Sequence, residues 1–249
     1  MAADRYGLIP HEEAIQFLKE KPEGLEVVLT GRDPSEDLIR IADYVSEIRK
    51  VKHPFDCAHP DFGKRILEFR DFVHRKEQMY DDSGHGTHVA GILAGDGRIS
   101  GGTYAGIAPK ASLLIAKVLD QDGNGSVESV LEGMRWVLSM RKKYPIRVVN
   151  ISVGAKPNLE QRQKKRLILG AESLWDAGIA VVASAGNDGP ERGSIASPGD
   201  SRKIITVGAY EEIRRGRTRM GQRWKYSGRG PSDTCIVKPD LVAPGLGII

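Results

Sequence analysis

A histidine between two glycines, at the beginning of an apolar run, is the residue of this chain best suited to proton transfer. Residues 81–95 read Asp-Asp-Ser-Gly-His-Gly-Thr-His-Val-Ala-Gly-Ile-Leu-Ala-Gly, with His85 between Gly84 and Gly86. Glycine permits a tight turn that leaves the imidazole open to a cleft, and imidazole titrates near neutral pH. The pattern predicts a general base at the start of a helix. A capped helix with a structural histidine is the alternative.

A second histidine, His88, follows His85 by three residues and raises the question of a metal site. The pair lacks the His-Glu-x-x-His arrangement, and no third ligand lies nearby in the sequence. The two cysteines, Cys57 and Cys235, are far apart and match no metal-ligand spacing. We therefore predict no bound metal and two reduced thiols.

Alternating strands and helices must position these residues. Strands are predicted at Ile66–Phe72, Ser112–Leu119, Arg147–Val153, Gly178–Ala185 and Ile204–Ala209, and helices at His85–Gly95, Ser126–Tyr144 and Asn158–Ala177. The first 50 residues read as helix, strand, helix over residues 11–21, 25–30 and 33–50. The alternation predicts an α/β fold of three layers, with one mostly parallel sheet and helices on both faces. Sites in such folds lie at the carboxyl ends of the strands.

The composition is ordinary for a globular protein and excludes several classes of partner. Of the 249 residues 40% are hydrophobic and 28% charged, and the net charge is +4. The basic runs at residues 162–166 and 214–217 are short and carry no interleaved aromatic residues, so we predict no nucleic-acid partner. No run of about 18 apolar residues occurs, so we predict no membrane span. The N-terminus lacks signal-peptide features, which predicts a cytoplasmic protein; secretion stays open if that terminus is not native.

Four segments, in order, resemble motifs of the subtilisin-like serine proteases, the subtilases or peptidase family S8. They are residues 81–95, Val148–Gly154, Val181–Gly189, and Tyr226–Pro231 followed by Lys238–Gly245. The resemblance covers about residues 59–249. It implies a subtilisin-like α/β fold, hydrolysis of peptide bonds by a serine nucleophile, and a protein or peptide substrate. Oligomeric state is not predicted.

The resemblance also implies a role for individual residues. His85 would be the general base, and the side-chain amide of Asn187 would donate to the oxyanion; a turn residue in a left-handed conformation is the alternative for Asn187. Substrate-binding positions would be Gly123, Gly125, Ser152, Val153, Gly154, Ser184, Ala185 and Gly186. For these eight residues, ordinary packing at strand ends is the alternative.

Two members of the family's catalytic triad are missing from the sequence. The family's serine lies in Gly-Thr-Ser-Met-Ala, and no Gly-Thr-Ser occurs in these 249 residues. The family's aspartate follows a buried strand in Val-x-Asp-(Ser/Thr)-Gly, whereas residues 51–58 read Val-Lys-His-Pro-Phe-Asp-Cys-Ala. Asp56 is the nearest carboxylate and does not fit that pattern. Asp61 matches a calcium ligand of some members, but residues 96–102 replace the expected calcium loop, so we predict no cofactor.

The first 58 residues resemble a different family, the ATP:corrinoid adenosyltransferases. Four segments are similar to the carboxyl-terminal end of those enzymes: Tyr6–Pro10, Leu25–Arg32, Ala42–Ile48 and Val51–Phe55. No Gly-x-x-x-x-Gly-Lys-(Ser/Thr) phosphate loop is present in the sequence. The sequence thus predicts two fragments, residues 1–58 and a peptidase domain at 59–249 that is truncated before the nucleophile.

The overall prediction is a subtilisin-like serine endopeptidase domain that is inactive as it stands. A non-catalytic, protease-like peptide-binding module is one alternative, and a chimeric gene product without function is another. Because the strand with the aspartate and the helix with the serine are missing, we also expect apolar faces to lie open.

Overall fold

The computed structural model describes residues 11–20, 59–155, 158–210, 226–232 and 235–245. The chain divides into two compact units, Met1–His53 and Pro54–Ile249. In the first unit the structure describes helix α1 (His11–Glu20), which confirms the helix predicted at residues 11–21. The predictions at residues 25–30 and 33–50 lie outside the described residues.

Six described strands, all parallel to their neighbours, form the framework of the second unit. They are β1 (Ile66–Asp71), β2 (Leu113–Lys117), β3 (Val148–Ile151), β4 (Ala180–Ser184), β5 (Ile205–Tyr210) and β6 (Leu241–Pro244). The first five confirm the predicted strands. Strand β6 was not predicted, because four residues beside Pro239 and ending in Pro244 carry too little periodicity to identify.

The described strands pair in two groups, whereas the alternation predicted one sheet. One sheet has the order β1-β2 and the other the order β3-β4-β5-β6. Among the described strands, β2 pairs only with β1 and β3 only with β4, so the pairing is interrupted between β2 and β3. Apolar periodicity predicts strands but does not identify their hydrogen-bonded neighbours.

Three helices connect these strands: α2 (His85–Ala94), α3 (Val127–Met140) and α4 (Gln161–Asp176). Each confirms a predicted helix. The Ser126 hydroxyl caps α3 by accepting a hydrogen bond from the backbone N–H of Ser129 at 3.0 Å. None of the described helices has the length and apolar character needed to cross a bilayer.

The core of the second unit lies between helices α3 and α4 and one face of the four-stranded sheet. Its buried members are Leu131, Met134, Ile151, Leu167, Ala171, Leu174, Ile179, Val181, Ala183 and Ile204. Burying a Leu or Ile side chain stabilises a fold by about 1.5–3 kcal/mol, so this cluster is the main apolar contribution to the stability of the described residues.

Apolar side chains also lie exposed on the strands of the four-stranded sheet. Val148 in β3 is 60% exposed, and Leu241 and Val242 in β6 are 60% and 58% exposed. Parallel sheets are normally covered on both faces. These exposures agree with the expectation of open apolar faces.

Candidate active site

His85 is the first residue of α2, and the turn before it is held by one carboxylate. Gly84 adopts φ 83°, a left-handed conformation that favours glycine. Asp81 Oδ1 accepts from the N–H of Gly84 at 2.8 Å, and its Oδ2 accepts from the N–H and the hydroxyl of Thr87 at 2.8 and 2.6 Å. Asp81 therefore caps the helix and sets the position of His85.

The same contacts lower the pKa of the Asp81 carboxyl. Burial disfavours its charge, but the hydrogen bonds from Thr87, Gly84 and Ser83 outweigh burial and lower the pKa of the carboxyl. Asp81 is thus a carboxylate at neutral pH, and its charge also favours the N-terminus of α2.

The imidazole of His85 reaches the end of strand β3. His85 is exposed, and its Nε2 lies 3.1 Å from the backbone oxygen of Ser152, the residue directly after β3. A carbonyl oxygen only accepts, so Nε2 carries the hydrogen in this contact and Nδ1 holds the lone pair of the neutral ring. The side-chain amide of Asn150 donates to the Ser152 hydroxyl at 2.6 Å, a contact that sequence reasoning missed.

The end of the neighbouring strand β4 carries the predicted oxyanion donor. Ile151 of β3 is in register with Ala183 of β4, so Ser152 and Ser184 follow at the same edge of the sheet. Asn187, three residues after Ser184, is exposed, and its side chain makes no hydrogen bond with the described residues. An amide side chain offers two N–H donors, and among the described residues neither is used.

Two of the glycines predicted to bind substrate, Gly154 and Gly186, contact the same methyl group. A Cβ at Gly154 would lie 2.7 Å from the Cβ of Ala196, and a Cβ at Gly186 would lie 2.6 Å from it. Gly186 also has φ 88°, in the left-handed region. Ala196 is only 2% exposed, and sequence reasoning missed it because it is remote in the chain from both glycines. Only glycine fits against the Ala196 methyl group at these two positions.

The loop at residues 120–125 forms a closed turn after strand β2. Asp120 Oδ1 accepts from the N–H groups of Asp122 and Asn124 at 3.0 and 2.9 Å. A Cβ at Gly125 would lie 2.4 Å from the backbone oxygen of Val118, so this position requires glycine. Gly123, with φ 78°, meets no atom within 4 Å and is open to solvent. Among the described residues, we find no hydrogen bond between residues 120–125 and His85 or Asn187.

A buried carboxylate, Asp71, is a feature that the motifs did not indicate. It ends strand β1, is 3% exposed, and accepts from the Tyr80 hydroxyl at 2.6 Å. Burial opposes its ionisation, but hydrogen bonds from Tyr80 and from backbone N–H groups, among them Val73 and His74, bring its pKa down to about 2. Asp71 thereby ties the segment that leads to His85 onto the sheet. In the sequence, the indication of a role for Asp71 was its position near the end of the predicted strand Ile66–Phe72.

Other residues considered in the sequence analysis make no described contact with His85. Asp56 lies outside the described residues. Asp61 uses Oδ1 to accept from the N–H of Ile99 at 2.9 Å. Two other serines are engaged in hydrogen bonds elsewhere. The Ser194 hydroxyl donates to the Glu191 backbone oxygen at 2.6 Å, and the Ser227 hydroxyl accepts from the Ala209 N–H at 2.9 Å. Within the described ranges no three His, Cys, Asp or Glu residues are placed to hold a metal ion.

Sequence comparisons separate the same two parts of the chain. Residues 53–247 match the model of the Subtilase family. Residues 1–61 match the model described as ATP:corrinoid adenosyltransferase BtuR/CobO/CobP. Both matches agree with the resemblances found in the motifs.

Curated relatives and solved structures match the larger part. Serine protease AprX of Bacillus subtilis (strain 168) is 40% identical over 195 residues, which are 77% of this chain and 44% of the relative. Subtilisin of Bacillus sp. (strain TA39) is 33% identical over 203 residues, 76% of this chain and 46% of the relative. The chain thus spans less than half the length of these relatives. The structure of Sphericase superposes with a TM-score of 0.61 at 27% identity, over 76% of this chain and 62% of that one. This likeness confirms the predicted α/β fold class.

Proposed function

The chain belongs to the subtilase family over residues 53–247. We propose that its second unit provides the general base of a serine endopeptidase, His85, and a substrate-binding site at the carboxyl end of β3. One observation carries the proposal: the 3.1 Å contact between His85 Nε2 and the Ser152 oxygen, which brings a histidine at a helix start to the end of a strand. A peptide laid along that end would have its carbonyl group near the imidazole.

Each group has a distinct chemical role in this proposal. His85 would take the proton of a serine hydroxyl as it attacks the peptide carbonyl, and return that proton to the leaving amine. The Asn187 amide would donate to the oxygen on which negative charge develops, an interaction whose loss typically lowers turnover by roughly 10²–10³. The residues Ser152 to Gly154 and Ser184 to Gly186, at the ends of β3 and β4, would flank the substrate.

These 249 residues do not complete that reaction in our proposal. A serine in the family's Gly-Thr-Ser context is missing from the sequence. A hydrogen bond to the Ser152 oxygen also requires a hydrogen on His85 Nε2, whereas a base must accept a proton there. In a complete triad a carboxylate at Nδ1 stabilises the other tautomer. Without a serine and that carboxylate, we expect binding of peptide without hydrolysis.

Hydrolysis of a chromogenic peptide, together with labelling by a fluorophosphonate, tests the proposal on the full chain. We expect turnover and labelling at the level of a His85→Ala variant, with an active subtilisin as the positive control. We also expect a fluorescent, uncleaved peptide to bind, as seen by anisotropy. Labelling of any serine would overturn the proposal that the chain is inactive. Absence of peptide binding would overturn the proposed substrate-binding site.

A non-catalytic peptide-binding role is the second candidate. It is favoured by the exposure of Asn150 on β3, which among the described strands pairs with β4 alone, and by the exposure of Asn187 after β4. If binding is the function, Asn187→Ala and His85→Ala would change affinity by similar small factors. If the site served catalysis, a chain joined to a Gly-Thr-Ser-bearing segment would gain labelling that His85→Ala abolishes.

A further inference from the structure

Strands β1 and β2 end at the same register position. Asp71, the last residue of β1, is in register with Lys117, the last residue of β2. The N–H of Phe72 donates to the Lys117 backbone oxygen at 2.9 Å, which continues the pairing by one more bond. Residues in register on neighbouring strands place their side chains on the same face of a sheet. A carboxylate and an ammonium therefore leave the carboxyl ends of the two strands on one face.

Each of these two side chains holds one residue of the segment that leads to His85. The Tyr80 hydroxyl donates to Asp71 Oδ2 at 2.6 Å. The Lys117 ammonium donates to Asp82 Oδ1, also at 2.6 Å. Because Tyr80 and Asp82 are two residues apart, the segment is attached at two points to two neighbouring strand ends.

The residue between these two attachments is bound to helix α2 instead. The carboxylate of Asp81 accepts from the N–H groups of Gly84 and Thr87, both at 2.8 Å. Three consecutive side chains thus join the end of β1, the start of α2 and the end of β2. His85 follows Asp82 by three residues, so the two strand ends determine where the imidazole leaves the helix.

Lys117 makes the larger set of contacts of the two strand-end residues with this segment. Its side chain is only 9% exposed, and its ammonium also donates to the Leu119 backbone oxygen at 2.6 Å. The same ammonium lies 5.0 Å from the centroid of the Tyr80 ring, within the range of a cation–π interaction. Charges that water reaches poorly are screened less than surface charges. The ammonium is therefore a fixed charge that holds Asp82 and Tyr80 together.

The position of the imidazole matters because its other end meets a different group of strands. His85 Nε2 lies 3.1 Å from the backbone oxygen of Ser152, the residue directly after β3. A displacement of about 1 Å at a reacting group can lower turnover roughly 10²-fold. A base at the first residue of a helix keeps such a contact only if that end of the helix is fixed.

We propose that Lys117 is a positioning residue for His85. Its ammonium holds Asp82, and through residues 82–85 it keeps the imidazole beside the Ser152 oxygen. The proposal rests on the proposed function of His85 as the general base. Loss of the ammonium releases Asp82 but leaves the Asp81 cap in place, so α2 persists while its first side chain gains freedom.

Carbon-13 relaxation of the His85 ring in the full chain, without any substrate, tests the proposal. In Lys117→Met we expect the ring order parameter to fall from about 0.85, typical of rigid groups, to about 0.6 or less. The backbone amide of His88, which donates to the Gly84 oxygen at 3.1 Å, should keep its order because the cap is intact. A ring that is mobile in the parent, an unchanged ring, or an equal loss of order at both positions overturns the proposal.

Two further variants show whether the effect passes through Asp82. Asp82→Asn removes the charge and keeps the size, and it should loosen the ring as much as Lys117→Met does. The double variant should lose no more order than either single one, because both break the same pair. Additive losses would overturn the proposal. If circular dichroism shows that Lys117→Met does not fold, Asp82→Asn decides the question.

Lys76→Met is the matched control. Lys76 is exposed, and its ammonium lies 4.4 Å from the centroid of the same Tyr80 ring. The substitution removes a cation from that ring and leaves the pair of Lys117 with Asp82 in place, so the His85 ring should stay as ordered as in the parent. An equal loss of order in Lys76→Met overturns the proposal. No substrate enters these measurements, so absence of peptide binding overturns the proposed function alone.

Discussion

At the scale of single residues, the contact of His85 with a carbonyl oxygen determines where its ring proton lies. Nε2 must carry the hydrogen to meet the Ser152 oxygen at 3.1 Å. We expect ¹⁵N shifts of the neutral ring to report the Nε2–H tautomer, with signals assigned by comparison with His85→Gln and His88→Gln. A ring protonated on Nδ1 would contradict the contact.

Among the described carboxyl groups, Asp71 has a strongly lowered pKa, so its ionisation is expected to contribute to stability. Its pKa is about 2 in the folded chain, against an ordinary value of 3.8. A lowered carboxyl pKa stabilises the fold above the unfolded value, and the contribution disappears as pH falls through the folded value. We expect a loss on the order of 2 kcal/mol in the free energy of unfolding between pH 5 and pH 2.

Asp71→Asn tests this assignment. The variant should be less stable than the parent at pH 6 and should lose much of the acid dependence, as measured by urea unfolding at several pH values. Glu77→Gln, an exposed substitution in the same segment, is the control and should change stability by less than about 0.5 kcal/mol. An unchanged acid dependence in Asp71→Asn would show that other groups cause it.

At the scale of elements, the packing of α3 on α4 depends on a glycine. A Cβ at Gly170 would lie 2.7 Å from Met134 Sδ and 2.8 Å from Leu131 Cδ2. Overpacking of this kind typically costs about 1–3 kcal/mol, which exceeds the helix propensity of about 1 kcal/mol that alanine adds. We expect Gly170→Ala to lower the free energy of unfolding.

Gly91 in α2 is the matched control, because a Cβ there meets no atom within 4 Å. Gly91→Ala should stabilise the chain by about 0.5–1 kcal/mol. If the packing of α3 on α4 is as described, chemical unfolding will show a lower free energy of unfolding for Gly170→Ala and a higher one for Gly91→Ala. Equal effects would show that helix propensity alone decides both substitutions.

At the scale of the whole molecule, exposed apolar groups decide how the subtilase unit behaves in solution. Val148, Leu241 and Val242 are each more than half exposed on strands. We expect the chain to bind the dye ANS at neutral pH and to melt broadly, with a tendency to aggregate. Leu241→Gln with Val242→Thr should reduce dye binding. A sharp, cooperative melt without dye binding would contradict this expectation.

Local sequence determined the elements and the identity of the motifs. Five strands and four helices were predictable because apolar periodicity and caps such as Ser126 are local properties of the chain. The glycines around His85 indicated a turn for the same reason. Family membership followed from ordered motifs, and the missing Gly-Thr-Ser was visible in the sequence itself.

Only the tertiary structure decided which of these elements meet. The contact of His85 with Ser152 joins residues 67 positions apart, and Ala196 meets two glycines from separate strands. The division of the described strands into two sheets also depends on hydrogen bonds between distant segments. Such contacts arise from how helices such as α3 pack across strands, and periodicity within one element carries no information about that packing.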